Sequence, residues 1–336
     1  MTQDGAADFA RAHFSGHVHD IDRLLPIFVN SGIESRYFSK PADWFSHPHS
    51  IAEKNHIYIE SATDLCAKAA HSAMTNAGVS PSEIDYIIYV NTTGIATPSI
   101  DARLINVLGL RHDIRRTPIW GLGCAGGVAA LSHAYHHLLG HPDQTVLVVC
   151  AELCGLTFLA NDFSRSNLVA SALFGEGAAA VLLRNSSDLP ADSLRIISTN
   201  SRFYPDSLDV MGWNVVEAGL QVVFAQRIPD IVAAHSAEDL SSYVRKHGLI
   251  LDDIDKFLFH PGGTKVIAAY EQALAISNGK LDYARQTLRD FGNMSSVTVL
   301  FVLKRYLDSS NRARGRYSLI SALGPGFCSE SILVRS

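Results

Sequence analysis

Cys124 stands in Gly121-Leu122-Gly123-Cys124-Ala125-Gly126-Gly127, after the apolar Ile119-Trp120 and before a helix-like run over 128–139. This spacing places a thiol at a helix N-terminus. Free amides and the helix dipole there favour the thiolate, and the flanking glycines let a substrate carbonyl approach the backbone. A thiol so placed is a nucleophile for acyl transfer. Two further groups complete a site. A strand over 257–259 ends in His260-Pro261-Gly262-Gly263, and strand ends in α/β folds are where ligands meet the protein. Asn293 lies in Gly292-Asn293-Met294-Ser295-Ser296. An Asn exchanges no proton near neutrality, so Asn293 serves as an N–H donor to a developing oxyanion, while His260 can pair with the thiolate and then donate to a second thioester. Two donors aimed at one thioester carbonyl stabilise an enolate. Loss of CO2 from a malonyl thioester produces that enolate, which attacks an acyl group held on sulfur without any proton-abstracting base.

An internal repeat sets these residues beside one another. Glu83-Ile84-Asp85 and the apolar run 86–90 resemble Asp253-Ile254-Asp255 and 256–259, and Gly123-Cys124 resembles Gly292-Asn293, both about 170 residues apart. A third pair, Ser171-Ala172-Leu173 and Ser321-Ala322-Leu323, each before a Gly-x-Gly and a strand, is about 150 residues apart. The first half therefore carries about twenty extra residues, near 153–170, a length that marks a functional loop. A helix over 59–76 ending at Gly78, and one over 237–246 ending at Gly248, each precede a strand, so both halves are αβ units. Runs such as Val146-Leu147-Val148-Val149, apolar without alternation, read as strands buried on both faces. The halves divide at 1–190 and 191–336, with the polar stretch 185–198 as the crossover, and a pseudo-twofold axis brings Cys124 and Asn293 together.

The 336 residues are 47% hydrophobic and 18% charged, the composition of an ordinary globular protein, and a formal charge of −5 argues against a nucleic-acid binder. No apolar stretch approaches the roughly 20 residues that span a bilayer, and the first twenty residues carry no apolar signal region, so a cytoplasmic protein without integral membrane association is expected. Five cysteines with no CxxC pair read as reduced thiols. His133, His136, His137 and His141 have helical spacing but no carboxylate or Cys completes a ligand set, so no metal is assigned.

The motifs Gly123-Cys124-Ala125-Gly126-Gly127, His260-Pro261-Gly262-Gly263, Gly292-Asn293-Met294-Ser295-Ser296 and Gly324-Pro325-Gly326, in this order, resemble type III polyketide synthases of the chalcone and stilbene synthase kind. The resemblance runs from about residue 33 to the C-terminus. It implies the thiolase fold, two pseudo-repeated α/β halves in a layered α-β-α-β-α body, a homodimer, and acyl-CoA and malonyl-CoA as substrates with no further cofactor. By position, Cys124, His260 and Asn293 resemble the catalytic triad, and Phe174 the aromatic gatekeeper between the CoA tunnel and the cavity. Thr157, Ser295 and Trp213 resemble cavity-shaping positions, Gly263 a substrate-binding one, and Arg36 and Lys265 groups that meet CoA phosphates. Val222 lies where plant members have a second gatekeeper Phe, which implies room for an aliphatic chain and alkylpyrone or alkylresorcinol products. Asn30 falls where they often have a CoA-contacting Lys. The family's opening strand has no counterpart before Met1-Thr2-Gln3, so a shortened start or an altered sheet edge is expected. The alternative within this chemistry is a β-ketoacyl-carrier-protein synthase III-like condensing enzyme or acyltransferase.

Overall fold

The computed structural model describes residues 1–185, 193–276, 279–310 and 312–336. Thr2 accepts a hydrogen bond from Gly5 N at the head of α1 (Gln3–Phe14), and Pro26 opens the short α2 (Pro26–Asn30). Ser50 caps α3 (Ile51–Ala77), which Gly78 ends with a left-handed φ of +63°. This helix starts eight residues before the expected 59. Its first two turns are mostly polar and hide the apolar period, although Ile57 and Tyr58 are already buried.

Strand β1 (Tyr86–Asn91), helix α4 (Ile100–Leu108), β2 (Arg115–Trp120), α5 (Gly126–Gly140), β3 (Thr145–Leu153), α6 (Arg165–Leu173) and β4 (Glu176–Arg184) complete the first half. Its sheet runs β2-β1-β3-β4, with β1 parallel to both neighbours and β4 antiparallel to β3. The second half holds β5 (Arg195–Phe203), a hairpin of β6 (Met211–Val216) and β7 (Gly219–Phe224), α7 (Ile228–Arg245), β8 (Ile254–Phe259), α8 (Thr264–Ala273), α9 (Asp282–Phe291), α10 (Thr298–Asp308), β9 (Tyr317–Gly324) and β10 (Cys328–Arg335). Its sheet runs β5-β10-β9-β8, and the β6-β7 hairpin stands apart.

Helices α3 and α4 cover the outer face of the first sheet, where Ile57, Cys66, Ala70 and Met74 meet Ile87, Tyr89, Leu147 and Val149. Helices α5 and α10 lie between the sheets, α5 touching β1, β3, β9 and β10, and α10 touching β4, β8 and β9. Their apolar faces join both sheets in one dry cluster, to which α7, α8 and α9 add residues, α7 packing on α8 and α9 on α10. Burial of this kind stabilises by about 25 cal/mol per Å² of apolar surface, which is why strands such as Val146–Cys150 carry no polar face.

Two details of the repeat need correction. Ser171-Ala172-Leu173 is the last turn of α6, whereas Ser321-Ala322-Leu323 is strand, so their likeness is not structural. Strand β3 corresponds to β9 and β4 to β10. Between β3 and β4 stand the turn Cys154–Thr157 and α6, where β9 and β10 are joined by a short turn. The inserted segment is therefore 154–175 rather than 153–170. The expected crossover 185–198 is shorter too, because Arg195 already opens β5; residues 186–192, and with them the 190/191 division, lie outside the described residues.

Candidate active site

The Gly123–Ala125 turn feeds straight into α5 and holds Cys124 buried. Gly123 has φ +48°, and a Cβ on it would come within 2.6 Å of Pro325, so only glycine lets this turn press against the Gly324-Pro325-Gly326 corner. On the next turn a Cβ at Gly127 would lie 2.3 Å from the Ser296 carbonyl oxygen, so the start of α5 and the turn before α10 touch backbone to backbone. The Cys124 thiol donates to Ser295 Oγ at 3.5 Å across this contact.

Ser295 is a non-glycine residue at φ +48°, a conformation that costs of order 1–3 kcal/mol and persists where surroundings impose it. Its amide donates to Asn293 Oδ1 at 2.8 Å. Asn293 is itself 1% exposed, with backbone bonds to Leu173 and Gly175 and a side-chain amide that donates to the Gly262 carbonyl at 3.2 Å. Gly262 belongs to the turn after His260, whose backbone amide donates to Ser321 O at 2.8 Å. A chain of contacts thus runs Cys124, Ser295, Asn293, Gly262, His260, from both halves. Neither ring nitrogen of the buried His260 has a hydrogen-bond partner among the described residues.

Burial dominates the electrostatics. It pushes the Cys124 thiol up to about 12, with the Ser295 hydrogen bond opposing, and pulls the His260 imidazole down to about 4. The expected lowered thiol pKa is not found in this closed site, because desolvation outweighs the Ser295 hydrogen bond and the backbone amide of the helix start.

Sequence reasoning missed Glu152. It ends β3 with no exposure and takes four donors: Thr92 N at 3.0 Å, Thr92 Oγ1 at 3.1 Å, Thr93 Oγ1 at 3.0 Å and Ser296 Oγ at 2.6 Å. Burial raises its pKa to about 7 against those donors. The available signal was a carboxylate inside the apolar run 146–153.

A cavity of about 30 Å³ opens beside the thiol, walled by Cys124, Thr92, Phe174, Trp213, Val222 and Ser295. Phe174 and Trp213 face each other at 6.3 Å, and Trp213 pairs with Val222 across the β6-β7 hairpin. Thr157, with Phe38, Phe45 and Phe158, lines a second, apolar cavity of about 50 Å³ that shares Phe174, Val222 and Cys154 with the first. Val222 lines both cavities. A groove of about 310 Å³ leads outward, lined by Gly263, Lys265, Arg165, Asn30 and Gln226, and meets the nucleophile cavity at Phe224.

Arg36 is not in that groove. It is 1% exposed and its guanidinium donates to the carbonyls of Ser171 at 2.6 Å and Phe174 at 2.8 Å, so it holds the end of the inserted segment instead of meeting a phosphate. Arg165, exposed at the head of α6, is the cation that stands with Lys265. Among the described residues no three His, Cys, Asp or Glu side chains converge on one point, all five cysteines are free and buried, and no helix is long and apolar enough to cross a membrane.

Two family models match the chain, the N-terminal domain of chalcone and stilbene synthases over residues 41–187 and the C-terminal domain over 195–336. A putative chalcone synthase of Bacillus subtilis (strain 168) is 41% identical over 99% of this chain and 94% of its own length. A 1,3,6,8-tetrahydroxynaphthalene synthase of Streptomyces peucetius subsp. caesius is 38% identical over 93% of this chain and 83% of its own. The crystal structure of the tetrahydroxynaphthalene synthase of Streptomyces coelicolor A3(2), a bacterial type III polyketide synthase, superposes with a TM-score of 0.95 at 27% identity, covering 100% of this chain and 95% of that one.

Proposed function

Because the chain belongs to the chalcone and stilbene synthase family, and is a type III polyketide synthase with the thiolase fold, we propose that Cys124 carries the acyl chain while His260 and Asn293 drive its extension with malonyl-CoA. The relatives fit this reading and not a carrier-protein-dependent synthase III-like enzyme. In the first step the Cys124 sulfur attacks the thioester of an acyl-CoA, CoA leaves as its thiol, and the cysteine proton goes out with it by way of His260. Malonyl-CoA then places its thioester oxygen between a His260 N–H and the free N–H of Asn293. The bond to the carboxylate breaks, CO2 departs, and the enolate so held attacks the acyl carbon and frees the cysteine sulfur. Repetition and ring closure give a pyrone or resorcinol-type product.

The observation that carries this reading is the buried His260 with two unpaired ring nitrogens, linked through Gly262 to a buried Asn293 with an uncommitted N–H. Unpaired polar atoms in a dry site await a substrate atom. The low basicity of this imidazole keeps it a neutral donor, the form needed beside an enolate.

Lys265 and Arg165 at the groove mouth supply charge for CoA phosphates, with Gly263 allowing close approach of the substrate arm. The halves 1–190 and 191–336 act as one catalytic body. A homodimer is supported by the exposed pair Ile95 and Trp120, whose indole N–H donates to Gly94 O at 3.1 Å, on the edge of the first sheet. Five reduced, buried cysteines support a cytoplasmic location.

Intact-protein mass spectrometry after incubation with a panel of acyl-CoA starters tests the roles separately. Wild type acquires one acyl group, Cys124→Ala none, and Asn293→Ala loads normally but releases CO2 from malonyl-CoA about 10²–10³-fold more slowly. Loading of Cys124→Ala, or unchanged CO2 release by Asn293→Ala, rejects the assignment.

A further inference from the structure

A helix leaves its last carbonyls without partners of its own, and at the end of α6 each of them meets a donor from elsewhere in the chain. Arg36 Nη1 donates to Ser171 O at 2.6 Å and to Phe174 O at 2.8 Å, and Gln3 Nε2 donates to Ala172 O at 2.9 Å. The backbone amide of Asn293 donates to Leu173 O at 2.8 Å, and Gly175 N donates in turn to Asn293 O at 2.9 Å. Phe174 and Asn293 so form a single parallel bridge between the halves. The backbone of the amide donor is held by the same short stretch whose other carbonyls Arg36 holds.

The stem of Arg36 also touches the turn that presents Asn293. Gly292 has φ +68°, and a Cβ on it would lie 2.7 Å from Arg36 Cδ and 2.9 Å from Leu173 O. A Cβ at Gly175 would meet Arg36 Cβ and Cγ at 3.6 Å. Arg36 therefore packs on the residue before Asn293 and on the residue after Phe174. Its own backbone is stitched to both halves. Glu34 N donates to Arg289 O at 2.7 Å and Ser35 Oγ to Asp290 O at 2.9 Å, at the end of α9, while Glu176 N donates to Tyr37 O at 3.0 Å, at the start of β4. Residues 34–37 are a strap from one half to the other, and Arg36 stands at the crossing.

We propose that Arg36 is a positioning residue for decarboxylation: by holding Ser171 and Phe174 it sets the Phe174–Asn293 bridge, and through that bridge the place of the Asn293 N–H that meets the malonyl thioester oxygen. The inference rests on the role given to Asn293 above. A donor to an oxyanion must be held to about 0.5 Å, and a displacement of about 1 Å costs on the order of a hundredfold in rate. Cys124 is placed by other contacts, Gly123 against Pro325 and Gly127 against Ser296, so acyl loading of the sulfur does not pass through Arg36. Loading and decarboxylation are then separable at this residue. Gln3 supplies the contrast, because the Ala172 carbonyl it holds takes no part in the bridge.

The test uses the full chain carrying Arg36→Met, alone and together with Asn293→Ala, assayed well below each Tm. Arg36→Met should load Cys124 within about twofold of wild type by intact-protein mass spectrometry, yet release CO2 from malonyl-CoA at least about tenfold more slowly, in kcat with KM little changed. In the double variant release should be no slower than in Asn293→Ala, because Arg36 acts through Asn293. Arg36→Lys keeps the charge and the stem against Gly292 and should show the same split in smaller measure, which serves if the Met variant does not fold. Gln3→Met, at the same helix end, and Met74→Ala, on the outer face of the first sheet, should lower Tm without slowing release. Additive losses in the double variant, an equal fall in loading and release, equal slowing by Gln3→Met, or normal release by the Arg36 variants overturns the proposal. Normal release by Asn293→Ala alone overturns the catalytic reading itself, and that result is read independently of the others.

Discussion

Glu152 is the residue on which the two halves meet, since Thr92 and Thr93 reach it from the first and Ser296 from the second. Its folded pKa, raised by burial to about 7 from an ordinary 4.5, means that the native state holds a proton the unfolded chain has released. That contribution to stability is full below about 4.5 and is lost as pH rises toward 7, on the order of 3 kcal/mol at most. His260 acts in the opposite sense between about 4 and 6.5, where the unfolded chain takes up a proton that the buried ring refuses. Glu152→Gln keeps an acceptor for Ser296 and removes the titration. Its urea midpoint relative to that of wild type should rise as pH goes from 4.5 to 7, and a difference that stays constant over this range would show that Glu152 does not titrate there. None of this was legible in the sequence. A glutamate in an apolar run reveals its four donors only when β1, β3 and the turn before α10 are brought to one point.

At the scale of elements, the inserted segment 154–175 supplies most of the wall of the apolar cavity that adjoins the one beside the thiol, and is tied down by Arg36. Replacing Arg36 with Met leaves the carbonyls of Ser171 and Phe174 unpaired in a dry place, at about 1–3 kcal/mol each. A Tm fall of several degrees with disturbed starter preference is expected. Lys265→Ala should leave Tm within a degree and raise KM for acyl-CoA, because Lys265 is exposed in the groove. The reverse pattern would restore Arg36 to the phosphate. Element order, both helix starts and the pairing of Cys124 with Asn293 were readable from the repeat, because glycines and apolar blocks leave a periodic trace. The fate of Arg36 was not, since an arginine in a sequence reads the same whether its partner is a phosphate or a buried carbonyl. The likeness of Ser171-Ala172-Leu173 to Ser321-Ala322-Leu323 misled for a related reason: three small or apolar residues suit a helix end and a buried strand equally.

Across the whole molecule, the sheet edges decide what the body can associate with. In the homodimer proposed above, the exposed Trp120 and Ile95 at the β2 edge are the side chains that would meet a second copy. Sedimentation equilibrium should give twice the chain mass for wild type and a shift toward monomer for Trp120→Glu, with acyl loading of Cys124 retained. A wild-type monomer at micromolar concentration would rule out that interface.

The near-collision of Gly127 with the Ser296 carbonyl fixes how such an enzyme can diversify. Nucleophile and amide donor ride on two helices locked at that point, so neither can drift to suit a bulkier reactant without dragging the other. Room to change what is made then lies in the lining, at Thr157, Trp213, Val222 and along 154–175, and not at the bond-forming centre.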